Sequence, residues 1–201
     1  MSAPSRSRAV PYEIVAIGAS AGGVKALLTV LEALPADFPV PLVIVQHLDP
    51  HHDTVLAELL DRRSRLRVKL AENGEVVESG MAYVAPPDRH LLIGPGGELR
   101  LSERDKVRFV RPSVDLLFES VAEVCGPAAL VCVLTGTGFD GSAGARAVSS
   151  HGGTVVAEDP NTAEFKGMPQ AVANSVAVDL TLPLEGIADA LVALTGGTRS
   201  L

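Results

Sequence analysis

The chain of 201 residues has no tryptophan, two tyrosines, five phenylalanines and two cysteines, and its 24 acidic against 17 basic side chains leave a net charge of −7. Each shortage excludes something. With so few rings and a negative balance, neither a base-stacking platform nor broad electrostatic attraction to nucleic acid is supported. Cys125 and Cys132 are too few for a disulfide framework, and Cys132 sits in an apolar run where a free thiol packs as a small hydrophobe. A reducing cytoplasm fits that usage. The longest unbroken apolar run, Ala128 to Leu134, is seven residues, far short of the roughly 18 to 20 that a membrane-spanning helix needs. No membrane insertion is expected. The opening MSAPSRSRAVPYE is polar and lacks the apolar stretch of a secretory signal, so residues 1–10 read as a flexible tail and 196–201 as a second one.

What is present is core-forming material, 47% of the residues being hydrophobic. No repeat and no low-complexity linker divides it, so residues 11–195 are expected to form one domain. Apolar β-branched runs alternate with helical stripes. Tyr12 to Ile17 reads as a strand, Val24 to Leu34 as a helix, Pro41 to Val45 as a strand and Thr54 to Asp61 as a helix. From Arg65, R-L-R-V-K-L alternates strictly and reads as a half-buried strand near a sheet edge, and Met81 to Ala85 as another strand. His90 to Leu101 reads as a hairpin closed at Gly94-Pro95-Gly96-Gly97. Ser113 is the expected N-cap of a helix carrying Val114, Leu117, Phe118 and Val121. Alternation then resumes through a strand at Ala128 to Thr135, a helix at Ser142 to Ser150, a strand at Thr154 to Glu158, a helix at Pro169 to Asn174, a strand at Val176 to Leu182 and a helix at Leu184 to Leu194. The pattern predicts an α/β fold with a doubly wound, mostly parallel sheet, helices on both faces and an antiparallel β-hairpin insertion.

In such sheets ligands bind beyond the carboxyl ends of the strands, and three of those ends carry polar residues. Gly18-Ala19-Ser20-Ala21-Gly22 satisfies G-x-S-x-G at a strand-to-helix turn, where Gly18 and Gly22 are expected to permit a sharp bend that exposes Ser20. The same turn could cradle a phosphate, and Ser20 could simply cap the helix. The second end stops at Gln46-His47, where the histidine is either a general base or a hydrogen-bonded structural residue. Nearby His51, His52 and Asp53 match no zinc spacing, and no metal is expected. At the third end three glycines crowd Asp140 in L-T-G-T-G-F-D-G, and an aspartate there could equally cap the next helix. Serine, histidine and aspartate at three strand ends are the ingredients of a nucleophilic triad. Their chain order is not the Ser, Asp, His order of the α/β-hydrolases.

These motifs resemble the catalytic domain of the chemotaxis protein-glutamate methylesterases, the CheB family. The resemblance runs from I-V-A-I-G-A-S-A-G-G-V through V-Q-H, Y-V-A-P-P-D-R-H, R-P-S-V-D-L-L-F, L-T-G-T-G-F-D-G and E-F-K-G-M-P to the closing helix. It implies Ser20 as nucleophile, His47 as base and Asp140 as the residue orienting the imidazole. The backbone N–H groups of Ala21 and Thr137 are candidates for the oxyanion hole, and His90 and Met168 for the substrate cleft. Three positions depart from the usual pattern. Ala21 replaces a frequent hydroxyl residue, Thr137 a frequent methionine and Phe139 a commonly polar side chain. The resemblance further implies a substrate on the cytoplasmic helices of methylated chemoreceptors, no cofactor, and control by a receiver domain. No receiver domain is found within the 201 residues, so a stand-alone enzyme, an excised domain or a separate receiver partner is expected.

Two basic clusters bear on substrate attraction. Arg62, Arg63, Arg65, Arg67 and Lys69 form one, and Arg100, Arg104, Lys106, Arg108 and Arg111 the other. Either is a solvated face or a surface that steers an acidic helix toward Ser20, and the first is the expected candidate. Two rival readings are a dinucleotide-binding domain and a non-catalytic scaffold of the same fold. Against the first, the glycines do not make G-x-G-x-x-G, and no acidic residue follows the second strand before Asp49.

Overall fold

A computed structural model of the chain describes residues 12–48 and 54–197. The main sheet is built from β1 (Ile14–Ala19), β2 (Leu42–Gln46), β3 (Arg67–Leu70), β4 (Met81–Val84), β7 (Ala129–Val133), β8 (Thr154–Glu158) and β9 (Leu180–Leu182), and a hairpin from β5 (His90–Gly94) and β6 (Glu98–Ser102). The helices are α1 (Gly23–Ala33), α2 (Leu56–Arg63), α3 (Val114–Cys125), α4 (Ser142–Ser150), α5 (Gly167–Ser175) and α6 (Leu184–Thr195). Every ladder in the seven-stranded sheet is parallel, in the order β3-β4-β2-β1-β7-β8-β9. The antiparallel element lies outside it. The hairpin is a separate two-stranded sheet, its inner residues Leu91, Ile93 and Leu99 buried and its Ile93 N–H donated to Ser120 Oγ on α3 at 2.9 Å.

Period-two alternation sorts each central strand between two cores, because successive side chains point to opposite faces. Val15, Ile17, Leu42 and Ile44 pack with α1, α2 and α6, while Ile14, Ala16, Val43 and Val45 pack with α3, α4 and α5. Strands covered on both faces must be apolar throughout, and all five residues of β7 are buried. Cys132 among them is fully buried, its thiol pushed up by burial.

Two elements depart from the sequence reading. The strand expected from Val176 is ordered as β only from Leu180; just before it Asp179 meets Val155 twice, its N–H donating to Val155 O at 2.9 Å and its carboxylate accepting the Val155 N–H at 2.8 Å. Ser113 stands at the N-cap of α3 without using its hydroxyl as a cap. That hydroxyl is drawn elsewhere.

The strand order positions the site. The chain begins in the middle at β1, moves out to β2 and on to the edge as β3, comes back between them as β4, then crosses to the other side of β1 as β7, β8 and β9. The connections after β1 and after β7 leave in opposite directions, which opens a crevice between their carboxyl ends. Ser20 follows β1, His47 follows β2 and Asp140 follows β7.

Candidate active site

Backbone bonds first stitch the three strand ends together. The His47 N–H donates to Ala19 O at 3.1 Å, Leu134 N–H to Gly18 O at 2.9 Å and Ser20 N–H to Thr135 O at 3.0 Å. Gly22 then takes the left-handed conformation, φ +75°, which lets α1 start at once. The role expected of Gly18 is different in the structure. It lies within β1, and a Cβ there would stand 2.3 Å from Val114 Cγ1, so close packing against α3 rather than the turn requires glycine.

The Ser20 hydroxyl caps nothing in α1. It lies 3.1 Å from His47 Nδ1, and His47 Nε2 lies 2.8 Å from Asp140 Oδ2. A carboxylate only accepts, so Nε2 carries the proton, and Nδ1 is left bare to accept from the Ser20 O–H. The serine, histidine and aspartate predicted from separate strand ends thus form one hydrogen-bonded chain.

Asp140 is held ionised. Burial alone would raise its pKa, but the His47 ring N–H and the backbone N–H groups of Asp115 and Val114 outweigh that cost and hold it below the usual carboxylate range. Its two oxygens accept from five donors: His47 Nε2, Val114 N at 2.7 Å, Ser113 Oγ at 3.0 Å, Asp115 N at 3.0 Å and Gly141 N at 3.1 Å. Val114 and Asp115 open α3, so Asp140 caps that helix from a distant loop. Asp115 does the reverse, its Oδ1 accepting from Ala143 and Gly144 at the start of α4, both at 2.9 Å. Asp140 thus caps the helix that carries Asp115, and Asp115 caps the helix that follows Asp140.

Sequence reasoning passed over several supporting groups. Gln46 Nε2 donates to both Ser20 O and His47 O at 2.9 Å, clamping nucleophile and base to each other through their backbones. Thr135 accepts the Phe165 N–H at 2.8 Å and donates its hydroxyl toward Ala21 O at 3.1 Å, while its own N–H goes to the buried Glu158 carboxylate at 2.7 Å. Burial pushes the Glu158 carboxyl up, opposed by that N–H. Gln46 stood beside His47 in the motif and Asp115 in R-P-S-V-D, so adjacency was the available signal. For Glu158, at the end of a buried strand, only its polarity was.

Among the described residues, no acceptor takes the backbone N–H of Ala21 or of Thr137. Both follow strand ends that flank the crevice. His90 and Met168 are each fully buried. The Met168 N–H donates to Gly136 O at 2.9 Å, under the loop that carries Thr137. His90 Nε2 donates to Asp105 O at 3.2 Å, and burial holds its pKa below the usual histidine range. Neither side chain presents a surface to solvent, and both brace loops at the crevice. Among the described residues no group of three His, Cys, Asp or Glu side chains is placed to hold a metal ion; His51, His52 and Asp53 lie outside them.

The first basic cluster sits at the wrong end. In a parallel sheet the helix before a strand runs opposite to it, so the end of α2 and the start of β3, with Arg62, Arg63, Arg65 and Arg67, lie at the amino edge, away from Ser20. Arg62 and Arg63 also pair there with Glu58 and Glu32. The second cluster is nearer. Lys106 and Arg111 line a pocket of about 80 Å³ together with His47.

The fold and site define a class: a doubly wound α/β protein with a hydrogen-bonded serine, histidine and ionised carboxylate at the switch point of its sheet. Comparison with known proteins narrows it. The family model described as CheB methylesterase matches residues 15–191. A relative from Leptospira interrogans is 40% identical over 183 residues, 91% of this chain and 95% of that protein. The Thermotoga maritima relative, named protein-glutamate methylesterase/protein-glutamine glutaminase, is 42% identical over 92% of this chain, which spans 55% of that protein. The crystal structure of the Thermotoga maritima CheB methylesterase catalytic domain superposes with a TM-score of 0.87 at 41% identity, covering 92% of this chain and 100% of that one. The chain belongs to the CheB methylesterase family.

Proposed function

We propose that residues 11–195 form a serine hydrolase that removes methyl esters from glutamate side chains on chemoreceptor helices, releasing methanol, and by the same attack deamidates receptor glutamines. The observation that carries this reading is the unbroken hydrogen-bonded chain from Ser20 through His47 to Asp140 in a member of this family.

His47 Nδ1 takes the Ser20 proton as Oγ attacks the ester carbonyl carbon, and the imidazolium is stabilised by Asp140 through Nε2. The oxyanion of the tetrahedral intermediate accepts from the Ala21 and Thr137 N–H groups, a contribution of about 3 kcal/mol per donor. Methoxide is a poor leaving group. As it departs it takes the proton back from Nδ1 and leaves as methanol. Water, deprotonated by the same nitrogen, then attacks the acyl-enzyme and frees glutamate and Ser20. With glutamine the leaving group is ammonia. Gln46 and Thr135 hold Ser20 and Ala21 in place, and His90 and Met168 shape the cleft from beneath its surface loops.

Every step uses this chain's own side chains and backbone. Among the described residues no helix is long and apolar enough to cross a membrane. The cytoplasm, where receptor helices are reached, is the proposed compartment. The reading is tested by methanol release from methylated receptor membranes. Wild-type protein is expected to release methanol and Ser20→Ala none; equal release by both would refute it.

A further inference from the structure

We propose that the short hairpin at Val107–Val110 is the element that grips the protein substrate, with Phe109 packing on an apolar residue of the helix that carries the ester and Lys106 facing that helix's carboxylates. The inference rests on the methylesterase reading and names how its substrate is recognised.

Val107 and Val110 exchange both backbone hydrogen bonds, at 3.1 and 2.9 Å, so Arg108 and Phe109 form a two-residue turn. Both are left-handed, with φ of 49° and 72°. That geometry normally falls to glycine or asparagine, because a Cβ makes it unfavourable. Two bulky side chains are kept there, and the cost yields nothing for the core. The Phe109 ring is 95% exposed. Strained residues that leave a large apolar group in water point to a contact with something outside the chain.

The loop is held in shape. Arg111 donates to Asp88 Oδ1 at 2.8 and 2.9 Å and to the carbonyls of Glu103 and Arg104. Arg108 folds back over the Phe139 ring, 4.6 Å from its centroid, and reaches Asp115 at 3.5 Å. The hairpin is thereby tied to the residue before Asp140.

Its position is at the chemistry. Phe109 and Lys106 line the pocket that also contains His47. Of the chain's five phenylalanines, Phe38 and Phe118 are buried, whereas Phe109, Phe139 and Phe165 are exposed at three loops around Ser20, His47 and Asp140. A chain with so few rings keeps three of them on one rim. Lys106 adds positive charge there, whereas Arg108 and Arg111 are paired with Asp115 and Asp88 and shape the loop. An apolar rim that carries Lys106 complements an amphipathic helix whose modified residue is one of several glutamates.

The test compares two substrates on the whole chain: methylated chemoreceptor membranes and 4-nitrophenyl acetate, which is too small to span the rim. The ratio of kcat/KM for receptor to that for the small ester is expected to fall about tenfold in Phe109→Ala and to stay within about threefold in Phe109→Leu, as for an aromatic hot spot. An unchanged ratio in Phe109→Ala, or equal losses on both substrates, would overturn the proposal. Wild-type protein that hydrolyses the small ester but releases no methanol from receptors would instead overturn the methylesterase reading, and this inference with it.

Discussion

Asp140 and Asp115 are two buried carboxylates, Asp140 capping the helix that carries Asp115 and Asp115 capping the helix that follows Asp140, yet their pKa values are shifted in opposite directions. Asp140 is shifted down and Asp115 up. Burial raises both, so the difference lies in the partners. Asp140 receives five donors including the His47 ring, whereas Asp115 has the N–H groups of Gly144 and Ala143, an Arg108 guanidinium 3.5 Å away, and the Asp140 charge pushing it further up. At Asp115 the helix N–H groups and one guanidinium do not offset the burial. At Asp140 the histidine and the added donors do, and they give it the fixed charge that a neighbouring imidazolium requires.

The largest test of this contrast removes charge from each in turn. Asp140→Asn offers His47 an amide in place of an anion, and kcat on a small ester is expected to fall about 10³- to 10⁴-fold. Asp115→Asn keeps an oxygen for the α4 N–H groups and is expected to cost roughly tenfold or less, since it acts only through the backbone that carries Asp140. Equal losses would mean that the two carboxylates act as one unit.

The pH dependence of stability sharpens the same comparison. A carboxyl whose folded pKa is depressed contributes stability above its unfolded pKa and loses it as pH falls, while one whose folded pKa is raised makes stability fall as pH rises from its unfolded pKa toward the folded one. Urea unfolding should therefore show, at and below about pH 4, a shallower rise of stability with pH in Asp140→Asn than in wild type, and above about pH 4 a steeper one in Asp115→Asn. Slopes that change in the same direction would contradict the opposite assignments.

Much of this was legible in the chain itself. Glycine-flanked polar residues after apolar runs located Ser20, His47 and Asp140, because strand ends are set by local pattern and a parallel sheet gathers them at one edge. The reciprocal capping was not legible. Ser113 does stand at the N-cap of α3, but its hydroxyl donates a hydrogen bond to Asp140 rather than accepting from the helix, and α4, which Asp140 looked placed to cap, is capped by Asp115 from α3. Such bonds join segments far apart in sequence, and local spacing carries no record of them. The basic run from Arg62 was visible as charge, yet only the strand order shows that it lies at the edge remote from Ser20.

That displacement supplies the smallest expected effect. Reversing Arg62, Arg63 and Arg65 to glutamate together should leave KM for receptor membranes within about twofold, because charges at the amino edge, beyond roughly a Debye length of 8 Å, are screened in physiological salt. A several-fold rise would mean that the substrate reaches around the sheet.

The central claim is that His47 activates Ser20 as a nucleophile at the switch point, and labelling with a fluorophosphonate at neutral pH tests it most directly. Intact-mass and peptide analysis should show one adduct on Ser20 in the wild type, none in Ser20→Ala and a strongly reduced rate in His47→Ala. No adduct on the wild type at high reagent excess, or an undiminished rate in His47→Ala, would contradict it.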